Sequence, residues 1–274
     1  MKIEYRPIVS LDEMNACVAL QETVWGFEPV DVVPVPLLVI ARKYGGFLYG
    51  AFDQQQLIGF VYSLPGFGHT VRLQWSHMTA VHPRYQGRGI GFRLKQIQKE
   101  YARHHDFPLI AWTFDPLETR NAHFNFQKLG TIARFYEPNL YGVTTGKLHY
   151  GLPTDRLVAE WWVQWEKPAP PSPSEAPSLI DVRRYRGRPT PVRTRSPNAP
   201  AHFIPVPAPA DYPRTASARR RMRKNWQDAV REAFVAAFAA GYIALAFFKD
   251  AASTQTPGYL LVHRDRMASP PPAW

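Results

Sequence analysis

The feature that most constrains this chain is Gln86-Gly87-Arg88-Gly89-Ile90-Gly91, set between an apolar, strand-like run ending at Val81 and a run of helical periodicity that opens at Ile90. Glycines let the backbone turn tightly and bring several N–H groups together. The first turn of the following helix adds unpaired donors and the positive end of its dipole. Strand, loop and helix in that order make a cradle for a pyrophosphate. Three glycines alone also describe an ordinary turn, so the reading rests on the context. A dinucleotide fingerprint is a poor fit, because several strands precede the loop and the glycine spacing differs.

The flanking pattern supplies the architecture. An extended run, Ile3 to Pro7, leads to a helix that Ser10 or Asp12 can cap, with Leu11, Met14 and Val18 facing inward. Prolines 29, 34 and 36 break it, and a second helix, Leu37 to Tyr44, stops at Gly45-Gly46. Phe47 to Phe52, Gln56 to Leu64 and Val71 to Val81 read as an antiparallel meander. Beyond the loop, Ile90, Leu94, Ile97 and Tyr101 recur at helical spacing up to His104. A β-rich run, Leu109 to Phe114, follows, then a helix from about Thr119 to Leu129-Gly130. The order β, β, β, α, β, α lets the strands on either side of the Ile90 helix run parallel through a right-handed crossover. It predicts an α/β sheet, in the wider sense α+β, with a ligand site at the carboxyl ends of its central strands.

The remainder divides at its prolines. Val158 to Trp165 reads as one more strand, and 167–213 as a proline-rich connector or wrapped arm. From Ala216 onward, Met222, Trp226, Val230, Phe234 and Phe238 fall at i+4 intervals, an apolar stripe on one long helix. Ile243 to Phe248 and Tyr259 to Val262 resemble a closing hairpin. The expected organisation is a domain over 1–166, a connector over 167–213 and a helix-and-hairpin extension over 214–274.

Composition narrows the classes. No run approaches the length of a membrane span, and the N-terminus lacks the apolar core of a signal peptide, so a cytoplasmic protein with no membrane partner is expected. One cysteine, Cys17, excludes an internal disulfide or multi-cysteine metal site; it reads as a buried thiol, and no metal is expected. The net charge of +11 calls for anionic partners, but much of the excess lies after residue 180. The Arg219-Arg220-Arg221-Met222-Arg223-Lys224 run has no base-reading motif beside it, and the reading expects a basic helix surface there, not nucleic-acid binding.

Gln86, Gly89 and Gly91 resemble the (Gln/Arg)-x-x-Gly-x-(Gly/Ala) acyl-CoA pyrophosphate loop of GNAT acyltransferases. Met78-Thr79-Ala80-Val81-His82-Pro83 is similar to the strand end that precedes that loop, and Asn121 to Gly130 to the helix that follows. The resemblance covers roughly residues 3–150. Ser76-His77-Met78, Trp112 to Glu118, Asn139 to Gly142 and Gly151 to Arg156 look like a little-characterised bacterial branch. The resemblance implies a GNAT fold, a mixed central sheet with one splayed strand. It also implies transfer of an acyl group, from acetyl-CoA or another acyl-CoA, to the amine of a small molecule such as an amino acid. A non-catalytic acyl-CoA sensor is the alternative, and a homodimer is an allowed assembly.

By the same resemblance, Met78, Thr79, Ala80 and Val81 hold the acyl and pantetheine portion through main-chain groups. Gln86, Gly87, Arg88, Gly89, Ile90, Gly91 and Asn121 complete the cofactor site. The base is open: His77 passes the thioester but is equally a core histidine, and Glu118 follows the next strand. The family's acid is a tyrosine where this chain has Phe126, so either the thiolate leaves unassisted or a hydroxyl such as Tyr136 or Tyr141 enters; Tyr141 is the candidate. Arg120, Asp155 and Arg156 are the candidates for holding the acceptor, a guanidinium being suited to a substrate carboxylate.

Overall fold

The structure, a computed structural model, describes residues 2–142, 151–249 and 256–274. Strand β1 (Ile3–Pro7) precedes helix α1 (Leu11–Trp25), which Ser10 caps in a reciprocal box with Glu13 and which ends at Gly26 in the left-handed region. Helix α2 (Val35–Lys43) leads into β2 (Phe47–Asp53), β3 (Gln56–Phe67) and β4 (Arg72–Val81). Helix α3 (Ile90–His104) crosses over to β5 (Leu109–Phe114), followed by a short helix α4 (Thr119–His123) that widens into a π-helical turn, Phe124–Leu129. Strands β6 (Tyr136–Glu137) and β7 (Arg156–Trp162) complete a seven-stranded sheet in the order β1-β2-β3-β4-β5-β7-β6. β4 and β5 run parallel and the neighbouring pairs antiparallel, which is the expected mixed sheet.

Both faces of this sheet are covered. α1 and α2 bury Met14, Cys17, Leu20 and Leu38 against Phe52, Phe60 and Tyr62, and α3 buries Ile90 and Leu94 against Ala51, Ile58 and Val61 on the other side. Cys17 has no solvent exposure, and burial pushes its thiol up to about 12, which removes it as a nucleophile.

The connector expected over 167–213 is more ordered than its prolines suggest. It holds β8 (Ile180–Tyr185), β9 (Arg188–Thr194) and β10 (Ala201–Pro205). β8 and β9 form a separate two-stranded ribbon, where Pro189 and Pro191 are tolerated because each strand has only one neighbour. β10 pairs with β12 (Gly258–His263), which pairs with β11 (Tyr242–Phe248), so the expected hairpin gains a third strand. The long helix α5 spans Ala216–Ala239, stopping before Gly241 at φ +86°.

This extension shares the core of the first sheet. Trp226, Val230 and Phe234 of α5 are fully buried in one cluster with Phe114, Phe126, Leu157 and Ala159. At about 25 cal/mol per Å2 of apolar surface removed from water, side chains of this size stabilise by about 2–3 kcal/mol each. The backbones also meet: Ala133 donates to Ala244 O at 3.0 Å and Ala244 donates back to Ala133 O at 2.8 Å.

Candidate active site

Pairing between β4 and β5 stops at Trp75↔Ala111. Beyond it β4 follows β3, and β5 follows β7 as far as Phe114, so the two central strands part into a fork. A bulge causes the divergence. Tyr62 faces Met78 while Leu64 faces Trp75, leaving an extra residue in β4 at Ser76-His77. The β4 edge from Ser76 to Val81 that turns toward β5 has no strand partner among the described residues, and its main-chain groups line the fork.

The glycine loop closes the wide end of the fork. Pro83–Tyr85 make a single 3-10 turn, fixed by the Tyr85 hydroxyl donating to Asp53 Oδ2 at 3.0 Å; Gln86 Nε2 donates to Val81 O at 3.0 Å and ties the loop to β4. Gly87 and Gly89 sit at φ +78° and +79°, the region where a side chain is strained. A Cβ at either would meet nothing within 4 Å, so both glycines answer to backbone conformation and the space above them is open. Gly89 caps α3, leaving the N–H groups of its first turn directed into that space. Open room, convergent donors and the Arg84 and Arg88 side chains fit the pyrophosphate of a coenzyme A thioester, with the pantetheine arm along the fork.

The sequence did not reveal what lies at the narrow end. Lys95, in the second turn of α3, is 2% exposed; its Nζ donates to Ser76 Oγ at 2.9 Å and Gln98 Oε1 at 2.7 Å and lies 3.7 Å from the centre of the Trp112 ring. Ser76 and Trp112 are the first residues past the last pair of β4 and β5. The lysine therefore bridges the fork, and burial drives its amine well below the ordinary lysine range. Next to apolar Leu94 in a helix, Lys95 reads as solvent-facing, and only the position of Trp112, far along the chain, could have corrected that.

His77 stands on the β4 bulge, edge-on to Tyr62 at 5.8 Å between ring centres. Its edge reaches solvent, yet the surrounding protein desolvates the ring and lowers its pKa, so the neutral form, a proton acceptor, prevails at pH 7. Across the fork, Thr113 Oγ1 of β5 and the Tyr141 hydroxyl lie 2.9 Å apart, and the Arg156 guanidinium sits 5.3 Å from the Tyr141 ring centre. Asn121 is exposed at the start of α4.

Other expected groups are engaged elsewhere. Glu118 accepts from Arg223 Nη1 at 3.1 Å, and Asp115 accepts from Nη2 of the same arginine, so Glu118 is committed to an ion pair and is not a base at hand. Asp155 is buried, accepting from Arg231 at 2.7 and 2.8 Å and from the Tyr136 hydroxyl at 2.7 Å; it joins α5 to the sheet and does not reach an acceptor. Burial, reinforced by that contact, raises the Tyr136 pKa and removes it as an acid. Arg120 lies with His123 and Lys249 around a cavity of about 300 Å3 that Ala208, Pro209 and Pro257 of the extension also line, not at the fork. Phe126 packs against Phe114 and Tyr259 in the shared core.

The glycine loop, crossover helix and fork together define an acyl-CoA-binding acetyltransferase domain. Residues 17–131 match the acetyltransferase (GNAT) family, so that this part of the chain is a GNAT acetyltransferase domain. No curated protein matches the sequence. Among solved structures, aminoglycoside 6'-acetyltransferase type Ii is 18% identical, covering 61% of this chain and 99% of its own, with a TM-score of 0.47. The ribosomal-protein-S18-alanine N-acetyltransferase from Escherichia coli is 10% identical, covering 60% and 96%, with a TM-score of 0.47. A GNAT-family acetyltransferase from Streptococcus pneumoniae is 15% identical, covering 58% and 98%, also at 0.47. Among the described residues, no single helix is long and apolar enough to cross a membrane.

Proposed function

We propose that the chain transfers an acyl group, acetyl in the first instance, from coenzyme A directly to the amine of a small molecule such as an amino acid. What supports this reading is the presence of one candidate group on each arm of the fork, a neutral His77 on the β4 bulge and the Tyr141 hydroxyl hydrogen-bonded to Thr113 of β5. Bound acyl-CoA supplies an activated thioester carbonyl. The chain's own groups then divide the work. The loop Gln86–Gly91 and Asn121 hold the phosphate and pantetheine parts, and the main chain of Met78–Val81 offers N–H groups to the carbonyl oxygen. His77 accepts the proton of the attacking amine, and Tyr141 gives one to the departing sulfur, the role Phe126 cannot fill. Arg156, half-buried beside Tyr141, is placed to hold an acceptor carboxylate.

Free CoA release, followed with acetyl-CoA and succinyl-CoA against D- and L-amino acids, polyamines and peptides, tests the reading. Release that depends on an amino acid supports it. Release only with peptides assigns a protein acceptor instead, and tight CoA binding without turnover across the panel returns the chain to the sensor class.

A further inference from the structure

The stretch from 180 to 224 contains twelve Arg and Lys residues against two acids, Asp181 and Asp211, and so carries ten of the chain's eleven net positive charges. In sequence these are spread over a supposed connector and a helix. In the fold, five of the arginines stand together on one β-ribbon. The β8–β9 ribbon packs on α5, with Trp226 Nε1 donating to Pro189 O at 3.1 Å. Both acids are already occupied: Asp181 accepts from Arg195 at 2.8 and 3.0 Å, and Asp211 accepts from the Ala208 N–H.

The ribbon has a defined outer face. Its register sets Tyr185 opposite Arg188 and Arg183 opposite Thr190, whereas Val182, packed against the core cluster, and the buried Pro189 lie on the opposite face. Arg183, Tyr185 and Arg188 therefore share the face directed away from the core. Arg183, Arg184, Arg186, Arg188 and Arg193 are all exposed. Tyr185 is 67% exposed, and the Arg186 guanidinium lies 5.5 Å from its ring centre. Eleven of the twelve cations are arginines, whose planar guanidinium pairs with phosphate oxygens in bidentate fashion and stacks on flat rings. An anionic membrane would accept lysines equally and gains from inserted apolar side chains; the ribbon's large exposed apolar residues are only Tyr185 and Val192. A row of arginines around one exposed aromatic ring suits a strand of phosphates whose bases are free to stack.

We propose that this face binds single-stranded nucleic acid, with the exposed arginines of the β8–β9 ribbon on the phosphates and Tyr185 stacked on a base. The surface is independent of the acyl-transfer site, and none of its residues takes part in that chemistry.

The test is fluorescence anisotropy of a labelled single-stranded 20-mer, as RNA and as DNA, titrated with the full chain between 50 and 200 mM salt. With about five phosphate contacts the affinity should fall roughly 100-fold over that range, a log–log slope of about −3.5. The triple variant R183Q/R186Q/R188Q should flatten the slope by about 2 while leaving CoA affinity and Tm unchanged. Y185A should weaken binding roughly tenfold at unchanged slope. Binding that survives the triple variant, a salt-independent affinity, a preference for duplex over single strand, or capture by phosphatidylserine vesicles in place of the oligonucleotide would each overturn the proposal.

Discussion

Arg223 of α5 reaches back 105 residues to Glu118, donating Nη1 at 3.1 Å, while Nη2 donates to Asp115 at the end of β5. The guanidinium is 6% exposed, the Asp115 side chain 14% and that of Glu118 38%, so the Asp115 arm is the buried one. Removing the arginine leaves the part-buried Asp115 carboxylate, at the end of β5, without its guanidinium partner. R223A should cost about 3–5 kcal/mol by urea denaturation, whereas E118Q, at the exposed end, should cost about 1 kcal/mol or less. Equal losses would mean that the two arms are not distinguished by burial.

G89A keeps open space around its new methyl group but forces a side chain into the left-handed region, at about 1–2 kcal/mol. The loop then relaxes away from the geometry that converges its N–H groups. Calorimetric titration should show CoA affinity reduced about tenfold. An affinity equal to wild type would show that the phosphates bind elsewhere.

H77Q should lower kcat by about 100-fold or more while leaving CoA affinity intact, if His77 is the base. Since desolvation lowers its pKa, the acidic limb of the wild-type kcat/KM profile should fall below 6.5, and H77Q should lose that limb. A limb unchanged in the variant assigns the proton to another group.

Lys95 gives a stability signature with a defined sign. Its amine is depressed when folded and ordinary, near 10.5, when unfolded, so between those values the unfolded chain binds one more proton. Folding stability should therefore rise with pH, approaching about 1.4 kcal/mol per pH unit in that window, and K95M should remove this slope. Denaturation of both proteins from pH 7 to 9.5 decides it. Parallel curves would mean that the lysine stays charged over Trp112.

The sequence announced the elements whose signals are local. The meander, the loop and α3 could be read because β alternation, glycines and 3.6-residue periodicity are written within a few neighbouring residues. The fork depends on pairings that no short window contains. Its bulge at Ser76-His77 follows from the register of β3, and Lys95 is buried because Trp112 arrives from another strand. Asp155 and Glu118 were legible as carboxylates near the site but not as partners of Arg231 and Arg223, which come from a helix more than 70 residues away. The ribbon was hidden by its own prolines, which argue against a strand wherever a second neighbour would need the missing N–H.

The reciprocal hydrogen bonds between Ala133 and Ala244 make the acetyltransferase half and the extension continuous at the level of the main chain. A gene encoding only residues 1–166 would yield a sheet stripped of the partner that covers Phe114, Phe126 and Leu157, a sticky fragment instead of a smaller enzyme. The extension is in this sense a second wall of one core, and a chain ended at residue 166 would lose its fold along with that wall.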